Sequence, residues 1–212
     1  MPPSAPDLGD PSSAPLPDEC ASVELSELRF DGDAAAGRDA SGARFFGCAM
    51  NEVDLSDAVL RRATFRDVSV RGGSWANVEG LEASLTRVEM RAARLTGAAF
   101  TRGTLADVTF ADCRLDLSSF RFARLERVRF ERCRMEETDL SGVRASDVVF
   151  EACDLGRASL AEATFERSAM HDCTLDAVGN PERLRGIAMP PADVVRNAGT
   201  LAQAVGIRVL DA

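Results

Sequence analysis

The sequence predicts an all-β solenoid, and three observations predict it. Large apolar residues recur at every fifth position from Phe45 to Leu175, and of these 27 positions only Gly80 and Ala145 depart. The residue two places before each centre, from Ala43 to Cys173, is always Ala, Cys, Gly, Ser, Thr or Val. In steps of twenty, Asp67, Arg87, Asp107, Arg127, Asp147 and Arg167 alternate in sign without a break. A register that holds over most of a chain marks stacked repeats.

The period excludes ordinary elements. Five residues of α-helix turn about 500°, so successive centres would share no face. On a flat strand the same step reverses the face each time. The chain must therefore bend in every repeat: a small residue and a large one point inward, then a corner rotates the next pair. Gly47, Gly72, Gly97 and Gly142 lie two places after a centre, where a corner needing positive φ wants them. If four repeats close one coil, residues twenty apart stack at roughly 4.8 Å, where opposite charges stabilise a sheet. The same step relates Cys113, Cys133, Cys153 and Cys173, whereas a step of fifteen from Asp67 meets Glu82, Gly97 and Asp112 without order. Four repeats per coil implies about seven coils and a rod roughly 30 Å long.

The elements follow in order. Residues 1–22, rich in Pro, Ser and acid, contain neither Lys nor Arg and no apolar core; they read as a disordered tail and not as a secretory signal. In 23–42 the register weakens, with Leu25 and Phe30 followed by Ala35 and Ala40, so a leading strand or partial coil and a loop are expected. Residues 43–180 form the β-helix proper, and no Pro occurs between Pro17 and Pro181, as a continuous hydrogen-bond ladder requires. Residues 181–212 form a cap: Pro190 and Pro191 lead into a capping α-helix over about 192–205, and Gly206 suits its stop. Val194, Val195, Ala198, Leu201, Ala202 and Val205 make one apolar stripe on it, expected to cover the open end of the coil. The part of the stripe left over is a candidate homodimer contact.

Val53-Asp54-Leu55, Thr138-Asp139-Leu140 and Cys153-Asp154-Leu155 follow a pattern of small residue, Asp or Asn, then Leu or Phe. Ala43 with Phe45, Ala63 with Phe65, Ala123 with Leu125 and Ala163 with Phe165 keep its small and large positions. On these repeats, over residues 43–177, the chain resembles the pentapeptide repeat proteins. The resemblance implies a right-handed quadrilateral β-helix with the centres stacked inside. Some members resemble B-DNA in width and charge, bind DNA gyrase or topoisomerase IV in its place and confer resistance to quinolones. The resemblance thus implies a DNA-mimicking modulator of such an enzyme, and a C-terminal element that dimerises. Two departures stand out. Arg replaces the favoured Asp or Asn at Arg44, Arg94, Arg114, Arg124, Arg129 and Arg134, and the unbroken register leaves no space for the loop insertions of plasmid-borne members.

Composition narrows the chemistry. Six cysteines without a secretory signal suggest a reducing, cytoplasmic setting. Five of them hold the small inward position, and the four at 113, 133, 153 and 173 stack in a line that cannot make the tetrahedron zinc wants, so they read as small core residues. His171 is the single histidine, and Lys and Tyr are missing, which leaves scattered carboxylates for acid and base work. No enzyme activity, cofactor or metal is expected. No stretch approaches the ~18 apolar residues of a membrane span, and no basic stripe with aromatics suits direct nucleic-acid binding. Around Trp75, Gly73 and Gly80 are expected to compensate its volume.

The net charge of −9 is uneven: residues 1–42 hold nine acids against two Arg, and 43–177 hold 22 against 19. Sorted by twenties, the side bearing Leu55, Leu95 and Leu155 has seven acids, Asp54, Asp57, Asp116, Glu136, Glu137, Asp154 and Asp176, against four Arg. This is the candidate partner-binding face for a topoisomerase. The alternative is a protein-interaction scaffold for another partner, using outward apolar residues such as Phe46, Leu117, Phe122 and Val149.

Overall fold

The structure is a computed structural model, described over residues 2–209. All centres from Phe45 to Leu175 are buried, and so are all their small partners except Gly73, which is half-buried. Strand pairing is parallel and shifts by twenty residues per coil: Phe45 pairs with Phe65, Phe65 with Leu85, Leu85 with Leu105 and Leu105 with Leu125. Four pentapeptides therefore close each coil. Equivalent rings stack almost flat, with centroids 4.8 Å apart for Phe45 and Phe65, 5.1 Å for Phe110 and Phe130, and 5.0 Å for Phe130 and Phe150. The core is built of columns of equivalent positions, repeated rung by rung.

The four sides are unequal. Thr64–Arg71, Ser84–Arg91, Thr104–Ala111 and Arg124–Glu131 are eight-residue strands bent across one corner, so they line two adjacent sides. The other two sides pair through single bridges, such as Asp54 with Ser74 and Val59 with Glu79. Turns join these bridges, as where Ala58 N donates to Leu55 O at 3.0 Å. Positive φ occurs at every fifth residue from Ser22 to Ala177, so the corner conformation expected at Gly47, Gly72, Gly97 and Gly142 extends to residues with side chains. Asp, Asn and Gly tolerate this region; Leu117 at φ 60° and Phe122 at φ 56° hold it at a cost.

The coil reaches further at both ends than the repeat count implies. On one side ten strands stack in order, from Ser12–Ser13 to Ile187–Ala188. That gives about nine turns and a rod about 43 Å long. Leu16, Cys20, Leu25, Phe30, Ala35 and Ala40 are all buried, so residues 23–42 wind as coil without the expected loop. The reason is that backbone bonds carry the wall whatever the centre's size: Ala35 N donates to Asp54 O at 2.7 Å and Ala40 N to Val59 O at 2.8 Å. Nor are residues 12–22 a separate tail. Arg38 Nη1 donates to Leu16 O and Pro17 O at 3.2 and 2.8 Å and ties this segment to the first coil. Ahead of it, Ser4 N donates to Asp107 Oδ1 at 3.1 Å and Asp7 N to Asp67 Oδ1 at 3.2 Å. Three residues thus cross two rungs, which requires an extended strap along the rod axis.

The cap departs from the single helix expected over 192–205. It is two short helices, α1 over Pro191–Arg196 and α2 over Ala198–Ala204, broken at Asn197. Their inward face is not the apolar stripe: Val194, Val195, Ala198 and Val205 are exposed, Ala202 is half-buried, and only Leu201 packs on the core. Asp193 and Asn197 are buried instead. The physical reason is that the end of a β-coil presents unpaired backbone groups as well as an apolar column. Asp172 N donates to Asp193 Oδ2 at 2.8 Å and Leu175 N to Asn197 Oδ1 at 3.1 Å. Asn197 Nδ2 donates to Cys173 O at 3.1 Å, and Thr200 Oγ1 to Leu175 O at 2.9 Å. One coil earlier, Ala152 N, Leu155 N and Cys153 O find backbone partners on the next rung. The cap supplies side chains where another rung would supply amides.

Candidate functional site: the outer columns of the coil

Because the interior is filled, the chemistry of this chain lies in columns of outward residues, each repeating every twenty. The corner column of alternating charge resolves into three separate bidentate pairs. Arg87 reaches back to Asp67 with both bonds at 2.6 Å, Arg127 to Asp107 at 2.8 and 2.9 Å, and Arg167 to Asp147 at 3.0 and 2.7 Å. Each arginine, by hydrogen bond first, holds its aspartate below the usual carboxylate range. Arg132 and Asp112 repeat the arrangement on another corner.

The seven acids of the candidate face do not form one acidic column. Arg134 takes up Asp116 at 3.6 Å and Glu136 at 3.3 Å, and Arg157 bonds Glu136 and Glu137 at 3.1 and 3.0 Å. Asp54 and Asp154 accept from the amides of Ser56 and Gly156 at 2.9 and 3.0 Å and serve as turn caps. Ser56 holds Asp54 at a lowered pKa. Asp57 accepts from Asn77 at 3.0 Å, while Asp176 on the last coil is exposed. Between the two ends of this face lie Arg94, Arg114 and Arg134, directly stacked on successive rungs. Among the described residues neither Arg94 nor Arg114 has an ion-pair partner within 4.0 Å. All three are exposed and line a shallow depression of about 380 Å³ with Thr96, Asp116, Leu117, Glu136 and Glu137.

The outward apolar residues divide. Leu117 and Phe122 are 58% and 48% exposed, whereas Phe46 and Val149 are half-buried. The Phe122 ring covers Gly142 on the next coil, where a Cβ would come within 2.3 Å of it, and Arg121 lies 5.3 Å from the ring centroid.

Cys113, Cys133, Cys153 and Cys173 form a line inside the wall. Cys113, Cys133 and Cys153 each donate to two carbonyls, Cys133 Sγ to Phe110 O and Glu131 O at 3.4 Å. The thiol stacked beneath each, together with burial, pushes Cys133 and Cys153 up to about 12. Trp75 is fully buried against Phe65, and its Nε1 has no partner. The nearby glycines serve other neighbours: a Cβ on Gly73 would meet Val53 O at 2.3 Å, and one on Gly80 the Phe100 ring at 3.0 Å.

Sequence reasoning left two groups unassembled. The arginine column was visible as three Arg twenty apart, and the cap as Asp193, Asn197 and Thr200 at helical spacing. Both are polar signals in places where apolar or acidic ones were sought.

A four-sided coil with a packed interior and all its variable groups outside defines a parallel β-solenoid whose chemistry is that of its surface. Models of the pentapeptide repeat region and of pentapeptide repeats match residues 83–158 and 41–74. The chain belongs to the pentapeptide repeat family. No curated protein matches it in sequence. Among solved structures it is similar to QnrB1, a plasmid-mediated fluoroquinolone resistance protein, at 16% identity over 95% of this chain and 100% of that one, with a TM-score of 0.43. It is also similar to HetL, involved in heterocyst differentiation regulation in the cyanobacterium Nostoc, at 15% identity over 82% and 92% of the two chains, with a TM-score of 0.41. A third is a pentapeptide repeat protein of the Arabidopsis thaliana thylakoid lumen, at 15% identity over 78% of each chain, with a TM-score of 0.20.

Proposed function

We propose that this chain is a non-enzymatic, protein-binding rod. The observation that carries the reading is the division of labour in each repeat: inward positions are spent on packing, and the groups free to make contacts stand outside in columns of fixed spacing. Affinity capture of partners by the immobilised chain, with and without charge reversal of an outer column, tests it; capture that ignores every outer substitution counts against it. Six free, buried cysteines support a reducing setting such as the cytoplasm as part of this proposal.

A second, finer reading is a DNA-mimicking modulator of DNA gyrase or topoisomerase IV that gives resistance to quinolone-like poisons. The net charge of −9 and the coil's uninterrupted length support it. The arginine column and the paired acids weigh against the Leu55 side as the mimicking face. Supercoiling by purified gyrase, with and without a quinolone, decides: no effect at micromolar protein ends this reading. Exposed Val194, Val195 and Val205 are the proposed homodimer contact, and a concentration-independent monomer in light scattering would dismiss it.

A further inference from the structure

Like charges stack over two rungs at Arg71 and Arg91, at Arg124 and Arg144 and at Glu131 and Glu151, but among the described residues the single three-rung run lies in a depression. In the corner column each Arg faces an Asp one rung away. In the column of Arg94, Arg114 and Arg134, guanidinium follows guanidinium at the rung spacing of roughly 4.8 Å, where like charges destabilise a sheet. Arg134 pairs with Asp116 and Glu136, whereas Arg94 and Arg114 form no ion pair within 4.0 Å with any described residue, Arg94 acting on Asp54 only at longer range. Beside them Leu117 is 58% exposed and held at φ 60°, and Thr96 Oγ1 has no hydrogen-bond partner. An apolar surface carrying carboxylates would neutralise the stacked guanidinia and cover the Leu117 side chain together.

We propose that Arg94 and Arg114, with Leu117, form a docking strip for an acidic α-helix of a partner protein. This rests on the protein-binding reading above and names the partner's chemistry. The spacing selects a helix. Carboxylates three or four residues apart on a helix rise about 4.5–6 Å, close to one rung, whereas same-face carboxylates on an extended strand are about 6.6 Å apart. Each guanidinium takes one carboxylate through a bidentate pair, and an apolar residue on the same helix face covers Leu117. The chain's own acidic N-terminal segment does not compete, since its strap lies on the Asp67 and Asp107 corner of other sides.

The test has two arms. In the first, fluorescence anisotropy follows a labelled helical peptide with glutamates one turn apart and leucines between them. Wild type should bind it saturably and the Gln-for-Glu peptide not at all. Binding should fall at least about tenfold for each arginine reversed, Arg94→Glu or Arg114→Glu, and stay unchanged in Arg102→Glu, which makes the same charge change on another side. No saturable binding, equal binding to the reversed variants, or tighter binding of a short DNA duplex overturns the proposal. The second arm needs no partner. Arg114→Glu turns the column into an alternation and should raise the urea midpoint, and a lowered midpoint overturns the claim that the column is kept at a stability cost. A rise here with unchanged partner capture would strike the protein-binding reading instead of the column's energetics.

Discussion

Asn197→Ala removes the side chain that stands in for a missing rung. Asn197 accepts from Leu175 N at 3.1 Å and donates to Cys173 O at 3.1 Å, and both bonds are buried. Its third bond, to Asp193 O, is expendable because the backbone N–H of Asn197 donates there as well. Two buried backbone groups lose their partners, at about 1–3 kcal/mol each, so the last coil should lose about 2–4 kcal/mol once some water reaches it. In a solenoid each coil leans only on its neighbours, so the loss stays local. Hydrogen exchange read by mass spectrometry should show residues 172–176 exchanging about 30- to 700-fold faster, while peptides around 105–130 are unchanged. Thr200→Val, which takes away a single bond to Leu175 O, should give a smaller effect in the same place. Unchanged exchange at 172–176, or acceleration spread evenly along the chain, would refute the idea that polar side chains on the cap complete the ladder.

Gly73→Ala drives a Cβ to 2.3 Å from the Val53 carbonyl and should cost about 2–4 kcal/mol in urea unfolding, whereas Gly37→Ala, with the same sign of φ and open space, should cost about 1 kcal/mol. The aspartates at 67, 107 and 147 have folded pKa values below their unfolded ones, so their pairs contribute stability above about pH 4 that is lost as pH falls through the lowered values. Thermal melts from pH 5 to 2 should therefore fall more steeply for wild type than for the Asp67→Asn, Asp107→Asn, Asp147→Asn triple variant. The native protein should show no fast-reacting thiol with a disulfide reagent at pH 8, because all six cysteines are buried and Cys133 and Cys153 are pushed up to about 12; rapid labelling of even one equivalent would contradict the packing.

The coil was legible because its inward pattern is redundant: Phe45 and Leu175 follow one rule, and so does every centre between them. Its ends were not legible, since Ala35 and Ala40 look too small for centres and Leu16 stands one residue off the register, yet backbone bonds to the next rung hold Ala35 and Ala40, and the side chains of Asp33 and Arg38 hold Leu16. The cap was misread for a related reason. Helical spacing located it, but an apolar stripe was sought against an end whose unmet demand is polar, and Asp193 and Asn197 meet that demand. On the outside, counting charges per side included Arg94, Arg114 and Arg134 but did not show that they stack, because sign totals ignore which residues are neighbours.

The inward pattern repeats every five residues and the outward addresses every twenty, so this chain can change its surface without changing its core. Deleting one pentapeptide from mid-rod would keep every buried centre in register while turning all that follows by a quarter circle. Arg134 would then leave the column of Arg94 and Arg114, and the paired corners would come apart. Loss of a whole coil would instead restore every column one rung shorter. Lineages of such rods are free to vary in length by twenties at little cost in recognition, and a step of five amounts to a new binding protein on an old scaffold.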